Sequence, residues 1–302
     1  MAWTSRPCVS TTVSVVVTLD RDGPDTHRRD ADAADRCHNN AMRPLPLLAA
    51  PIAFAAGLCI AGFQHHQHEQ GWVRIFDGKS LKGWTPKIKG YAFGENFGNT
   101  FRVKDGVIQV GYEGYDGEFK DRFGHLFHEA PHSNYMLRLE YRFTGEQVKG
   151  GPGWAWRNSG VMIHGQSPES MAKDQDFPVS AEVQLLGGPE TGERHTGNVC
   201  TPGTNIVYNG KLWTQHCTDS NSPTFRGDQW VQLEIEVHGN GKVIHRINGK
   251  DVISYSEIQY DPNDADAKRL IKDGKLAISG GSISLQSESH PVEFRNIEIK
   301  EL

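Results

Sequence analysis

Asn158-Ser159-Gly160-Val161-Met162-Ile163-His164 is the stretch whose reading decides the fold. Its alternation sets Val161 and Ile163 on one side and His164 on the other, the period of a half-buried β-strand and not of a helix. Two further stretches repeat the pattern. Ala181-Glu182-Val183-Gln184-Leu185 turns Val183 and Leu185 inward, and Ile283-Ser284-Leu285-Gln286-Ser287-Glu288-Ser289-His290 does the same with Ile283 and Leu285. His164, Glu182, Gln184, Gln286, Glu288 and His290 are left for the opposite face. A solvated sheet face is ordinarily rich in Lys, Thr, Glu and Arg. Imidazoles, carboxamides and acids recurring on several strands can instead bind a polyhydroxylated ligand, hold a metal or move a proton.

Working outward, the same period predicts strands at 101–103 and 107–110, joined by a Lys104-Asp105-Gly106 turn, and at 135–143, 230–238, 242–247, 252–255, 275–278 and 292–299. Asn248-Gly249 marks a hairpin. With 33 glycines, 15 prolines and no sustained helical period, the chain reads as all-β, a jelly-roll-like sandwich of two antiparallel sheets. The concave outer face of one sheet would form a groove, with glycine-rich rim loops at 149–156 and 187–189. A net charge of -5 with both signs interspersed gives no basic stripe and excludes nucleic acid as a partner.

Residues 1–41 mix Arg, Asp and Thr without a packing pattern and read as an upstream extension wrongly joined to a chain that starts at Met42. Residues 42–62 read as a secretory signal: Arg43, an apolar run over 45–61, and small residues near a cleavage point. The run is shorter than the roughly 20 apolar residues of a membrane span and is broken by Pro46 and Pro51, so no stable span is expected. Leu58, before Cys59, stands where a lipidation signal needs a small residue. A His/Gln-rich linker over 63–70 then leads into one domain, 71–302, exported to the periplasm or the exterior. Export leaves Cys200 and Cys217, a pair expected to form a disulfide contributing about 3 kcal/mol. The alternative, zinc held by the two cysteines with His195 and His216, lacks a close Cys-x-x-Cys spacing.

Five landmarks together resemble one family, the 3-keto-disaccharide hydrolase domain: 75–84 (Ile-Phe-Asp-Gly-Lys-Ser-Leu-Lys-Gly-Trp), Arg157-Asn158-Ser159-Gly160-Val161, Ala181-Glu182-Val183-Gln184-Leu185-Leu186, Gly197-Asn198-Val199-Cys200, and the run 283–297. They lie in the family's order and cover the chain from about Trp72 to Leu302. Gln286-Ser287-Glu288-Ser289-His290 departs from the Gln-x-His-Gly of many relatives by an extra acid. The resemblance implies a concanavalin A-like or laminin-G-like sandwich acting on glycosides oxidised at sugar C3.

A ketone at C3 acidifies the C2 proton, so a base can remove it and expel the aglycone from C1, and water added to the enone completes a net hydrolysis. His164 or His290 is the expected base and Glu182 a further catalytic residue. Arg157, or one divalent metal held by Glu182, Gln286 and His290, would hold the enolate oxygen. Arg157, Asn158, Gln184, Gln286 and Trp156 are the expected substrate-binding residues. Two other functions fit the same residues: a noncatalytic carbohydrate-binding module, and hydrolysis of ordinary glycosides by Glu182 with Glu288, which needs the two carboxylates about 5 to 10 Å apart.

Overall fold

The computed structural model describes residues 70–302; the extension, signal and most of the linker expected from the sequence lie outside the described residues. In chain order the strands are β1 (Val73–Arg74), β2 (Trp84–Ile88), β3 (Phe101–Lys104), β4 (Val107–Val110), β5 (Gly124–His128), β6 (Asn134–Phe143), β7 (Asn158–Gly165), β8 (Ala181–Leu186), β9 (Asn198–Cys200), β10 (Thr204–Tyr208), β11 (Lys211–Trp213), β12 (Cys217–Thr218), β13 (Val231–His238), β14 (Lys242–Ile247), β15 (Lys250–Tyr260), β16 (Ser282–Ser287) and β17 (Val292–Glu301). Among the described residues the one α-helix is a single turn, Ala265–Lys268, and no helix is long and apolar enough to cross a membrane.

The strands form two antiparallel sheets. One has ten strands, in the order β11-β10-β15-β14-β13-β6-β17-β4-β3 with β1 on β17, and the other has seven, β12-β9-β8-β7-β16-β5-β2. The alternation in β6 buries Tyr135, Leu137, Leu139, Tyr141 and Phe143, which meet Val161, Ile163, Val183, Leu185, Ile283 and Leu285 from the facing sheet. Each of those six is fully buried, so the period read from the sequence defines the inner layer. The two hairpin signals also hold. Asp105-Gly106 and Asn248-Gly249 all take positive φ, as a two-residue loop that continues the strand twist requires.

The two outer faces differ. On the ten-stranded sheet charges of opposite sign are paired across strands: Arg138 with Glu298, Arg142 with Glu293, Arg295 with Glu140, and Arg246 with Glu234, Glu236 and Asp251. The indole of Trp230 lies under both Arg142 and Arg295. Over the Lys87 and His125 end of the outer face of the seven-stranded sheet folds the loop 166–180. That loop is fastened by Gln175, which donates to Gln166 at 2.8 Å, and by Lys87, which donates to the Lys173 carbonyl at 2.9 Å. The segment 275–278, expected as a strand, makes only isolated bridges, one of them Ala277 to Gln259 at the end of β15, where the contact is too short to extend into a ladder.

Candidate active site

Cross-strand pairing fixes which side chains share the outer face of the seven-stranded sheet. Glu182 on β8 pairs with Met162 and with Cys200, Gln184 with Gly160 and Asn198, and Gln286 on β16 with His125, which pairs in turn with Lys87. Directly opposed residues point to the same side of a sheet. One row therefore runs Lys87, His125, Gln286, Gly160, Gln184, Asn198, with Glu182 in the row beside it. Gly160 provides the room: a Cβ there would stand 2.5 Å from Glu182 Oε1 and 3.0 Å from Gln286 Oε1. The carboxylate and the carboxamide meet over a residue without a side chain.

Above this floor lies a hollow of about 370 Å³ whose lining includes Trp154, Asn158, Phe177, Glu182, Gln184, Arg194 and Glu288. Its polar atoms are buried and short of partners. Glu182 Oε1, Glu288 Oε2, Asn158 Oδ1 and both amide atoms of Gln286 make no hydrogen bond, although buried polar groups are nearly always paired. Burial pushes the Glu182 carboxyl up to about 8. It raises Glu288 well above the ordinary carboxylate range too, helped by the charge of Glu182 and opposed by that of Arg194. Two buried carboxyls coupled in this way resist ionising, so both hold their protons to a higher pH than a free glutamate does, and Glu182 is the first to lose its own.

Arg194 was not picked out by the sequence reading. Its guanidinium is held by the carbonyls of Trp156 at 2.6 Å, Gly187 at 3.0 Å and Trp154 at 3.3 Å, which fix a cation at the wall. Its position follows from carbonyls brought together by two separate loops, which no local pattern encodes. His125 was missed as well, because Leu126 and Phe127 are adjacent apolar residues and 124–128 shows no clean alternation to mark it. Cys200 and Cys217 are bonded to each other at directly paired positions of β9 and β12, with Cα atoms 4.1 Å apart, and they form part of the wall. The zinc alternative is thereby removed. His195 Nδ1 instead contacts the Ser222 carbonyl, and His216 lines the hollow.

The expected residues divide into two groups. Glu182, Asn158, Gln184 and Gln286 come together at the hollow and its floor. His164 does not join them. The pairing of β7 with β16 slips by one residue between Ser282 and Ser284, and His164, at φ 51, sits at the resulting bulge. An extra residue reverses the alternation, so its imidazole reaches across to the Gly239 carbonyl of the other sheet, 2.8 Å away. His290 is buried outside the lining, its ring centroid 5.8 Å from Phe143 and 6.0 Å from Trp156. Desolvation and the charge of Arg157 push it down to about 4. Arg157 itself is occupied by the Gly227 carbonyl at 2.6 Å and Asp228 at 3.1 Å. Trp156 packs against His290 and the guanidinium of Arg194 and does not line the hollow.

Of the donors expected for a divalent metal, two meet over Gly160. They are Glu182 and Gln286, while the third, His290, packs between Phe143 and Trp156; among the described residues no three His, Cys, Asp or Glu side chains are grouped to hold an ion.

The family of the 3-keto-alpha-glucoside-1,2-lyase-like domain matches residues 71–300, and the chain belongs to it. The chain is also similar to the 3-keto-disaccharide hydrolase of Bacteroides thetaiotaomicron, 25% identical over 256 residues that cover 77% of this chain and 79% of that protein. Among solved structures it is similar to a candidate glycosyl hydrolase of Parabacteroides distasonis (21% identity, TM-score 0.45, 77% of this chain and 94% of that one). A carbohydrate-binding module of Bacillus subtilis is a further likeness (13% identity, TM-score 0.41, 72% and 96%).

Proposed function

We propose that this protein cleaves glycosides of 3-keto sugars by elimination followed by hydration, in the hollow over Gly160. The observation that carries the reading is the buried pair Glu182 and Glu288, each with an unpartnered oxygen at the hollow, Glu182 meeting the carboxamide of Gln286 over Gly160. The ionised carboxylate, assigned to Glu182, takes the proton from C2. The C2–H electrons form the enolate at C3, whose oxygen is held by Gln286 Nε2, with Arg194 supplying positive charge from the wall. Collapse of the enolate makes the C1–C2 double bond and breaks the bond from C1 to the aglycone oxygen. That oxygen takes the proton of the neutral partner, Glu288. Water then adds back, hydroxyl to C1 and hydrogen to C2, giving the free 3-keto sugar and the alcohol with no net oxidation. The family and the Bacteroides relative support the substrate class.

The test is to incubate the purified protein with 3-ketotrehalose and methyl 3-keto-glucoside in deuterated water and to follow the release of 3-keto-glucose. Release with one deuterium incorporated at C2 is expected. Release without deuterium would replace elimination by direct displacement at C1. Absence of release from several linkages, together with measurable sugar binding, would leave the protein a binding module.

A further inference from the structure

The polar floor continues beyond the hollow. His125 follows Gln286 in the cross-strand row, is 1% exposed, and has no hydrogen bond at either ring nitrogen. The next group in the row, the ammonium of Lys87, is occupied by the carbonyls of Ile88 and Lys173. What covers His125 is Phe177, a ring of the hollow's own wall, packed edge to face with centroids 6.0 Å apart. Two unmet polar atoms under an aromatic cover cost free energy in the empty protein and are satisfied only when something polar replaces the cover.

Resting on the reaction proposed above, we propose that His125 determines specificity by recognising the C4 hydroxyl of the 3-keto sugar. The order of groups on the floor carries this. Glu182 reaches C2, Gln286 on β16 holds the oxygen at C3, and His125, one strand further in the same direction on β5, meets the substituent that follows C3 around the ring. A hydroxyl donates one hydrogen bond and accepts others, and a neutral imidazole offers one N–H and one bare nitrogen to match. Burial and the charge of Lys87 push His125 down to about 3, so the ring is neutral throughout the working range. The Phe177 ring turns off the imidazole as the sugar enters and packs on the sugar's C–H face.

The experiment compares methyl 3-keto-glucoside, its C4 epimer and its 4-deoxy analogue with the intact protein, measuring kcat/KM for each. A preference for the gluco substrate of about a hundredfold over both analogues is expected, since a site built to bond a hydroxyl rejects the ligand that lacks it. In His125→Phe the preference should collapse, mainly through a raised KM for the gluco substrate. Equal turnover of the three substrates by the wild-type protein, or an unchanged preference in His125→Phe, would overturn the proposal. If no 3-keto substrate turns over, the reaction falls. The C4 proposal is then read from binding of unoxidised methyl glucoside, which should shift the ¹⁵N resonances of His125, while the 4-deoxy sugar should leave them in place. Equal shifts with both sugars would reject it.

Discussion

Glu182 carries the sharpest residue-level expectations. Replacing it with Gln keeps the shape and removes the base, so kcat should fall by about 10²- to 10⁴-fold with sugar binding retained, as steady-state kinetics and calorimetry would register. The pH dependence follows from the raised carboxyl at about 8. The base form needs the proton gone, so kcat/KM should climb as pH rises towards 8 and fall away on the acid side. An acid limb near pH 4 would reject Glu182 as the base. His164→Ala is expected to spare turnover and to lower stability, because its imidazole ties two sheets together through Gly239. These assignments were partly legible. The proposal moves the role of base to Glu182; Glu182, Gln184 and Gln286 followed from alternation alone, whereas the sequence reading expected His164 or His290 as the base, with Glu182 a further catalytic residue, because His titrates nearest neutral pH. What it could not see was burial deep enough to bring a carboxyl into the same range.

At the scale of the strand, β7 shows why parity is fragile. Its first half obeys the alternation that puts Gly160 on the floor, and one added residue at His164 sends the rest to the other side. A single-residue bulge has no compositional mark, so its position was invisible beforehand. Gly160→Ala is expected to push the Glu182 carboxylate aside and to cost about 10²-fold in kcat, since a shift of about 1 Å at a reacting group is worth that much. Far-UV circular dichroism of the variant should match the wild type. The short partners β9 and β12 were not read as strands, because three residues and two give alternation no length to act on. Their disulfide was expected because Cys200 and Cys217 are the two cysteines of 71–302. Cys217→Ser should lower unfolding free energy by about 3 kcal/mol in urea titrations, with loss of activity accompanying it through the shared wall.

Across the whole molecule the buried ionisable groups set a stability optimum. The folded Glu182 binds its proton more tightly than the unfolded chain, whose value is near 4.5. The stabilisation is therefore complete below about 4.5 and is lost as pH rises through about 8. His125, His245 and His290 act oppositely: their folded values of about 3, 4 and 4 lie below the ordinary 6.5, so stability is lost as pH falls through that interval. Between about 6.5 and 8 only the carboxyls are changing, and the melting temperature should drop across that interval in the wild type and drop less in Glu182→Gln. A wild-type profile level up to pH 9 would contradict the burial argument. The sandwich, its inner layer and its hairpins could be read in advance because they rest on period and turn chemistry. A groove on an outer face was expected too, but its lining by Phe177 and Arg194 was not, because that depends on how the loop between β7 and β8 and the loops around 154–157 and 187–194 fold, which no period encodes.

The charge-laced sheet and the hollow respond differently to ionic strength. Raising salt from about 0.1 M to 1 M shortens the screening length from about 10 to about 3 Å, which weakens pairs at the water boundary and leaves dehydrated groups largely untouched. The lattice built on Arg138, Arg142, Arg246 and Arg295 is of the first kind, and Glu182 with Glu288 is of the second. A brine should therefore loosen the molecule's back while its chemistry runs on unchanged, so that durability and catalysis can be adjusted separately by the medium.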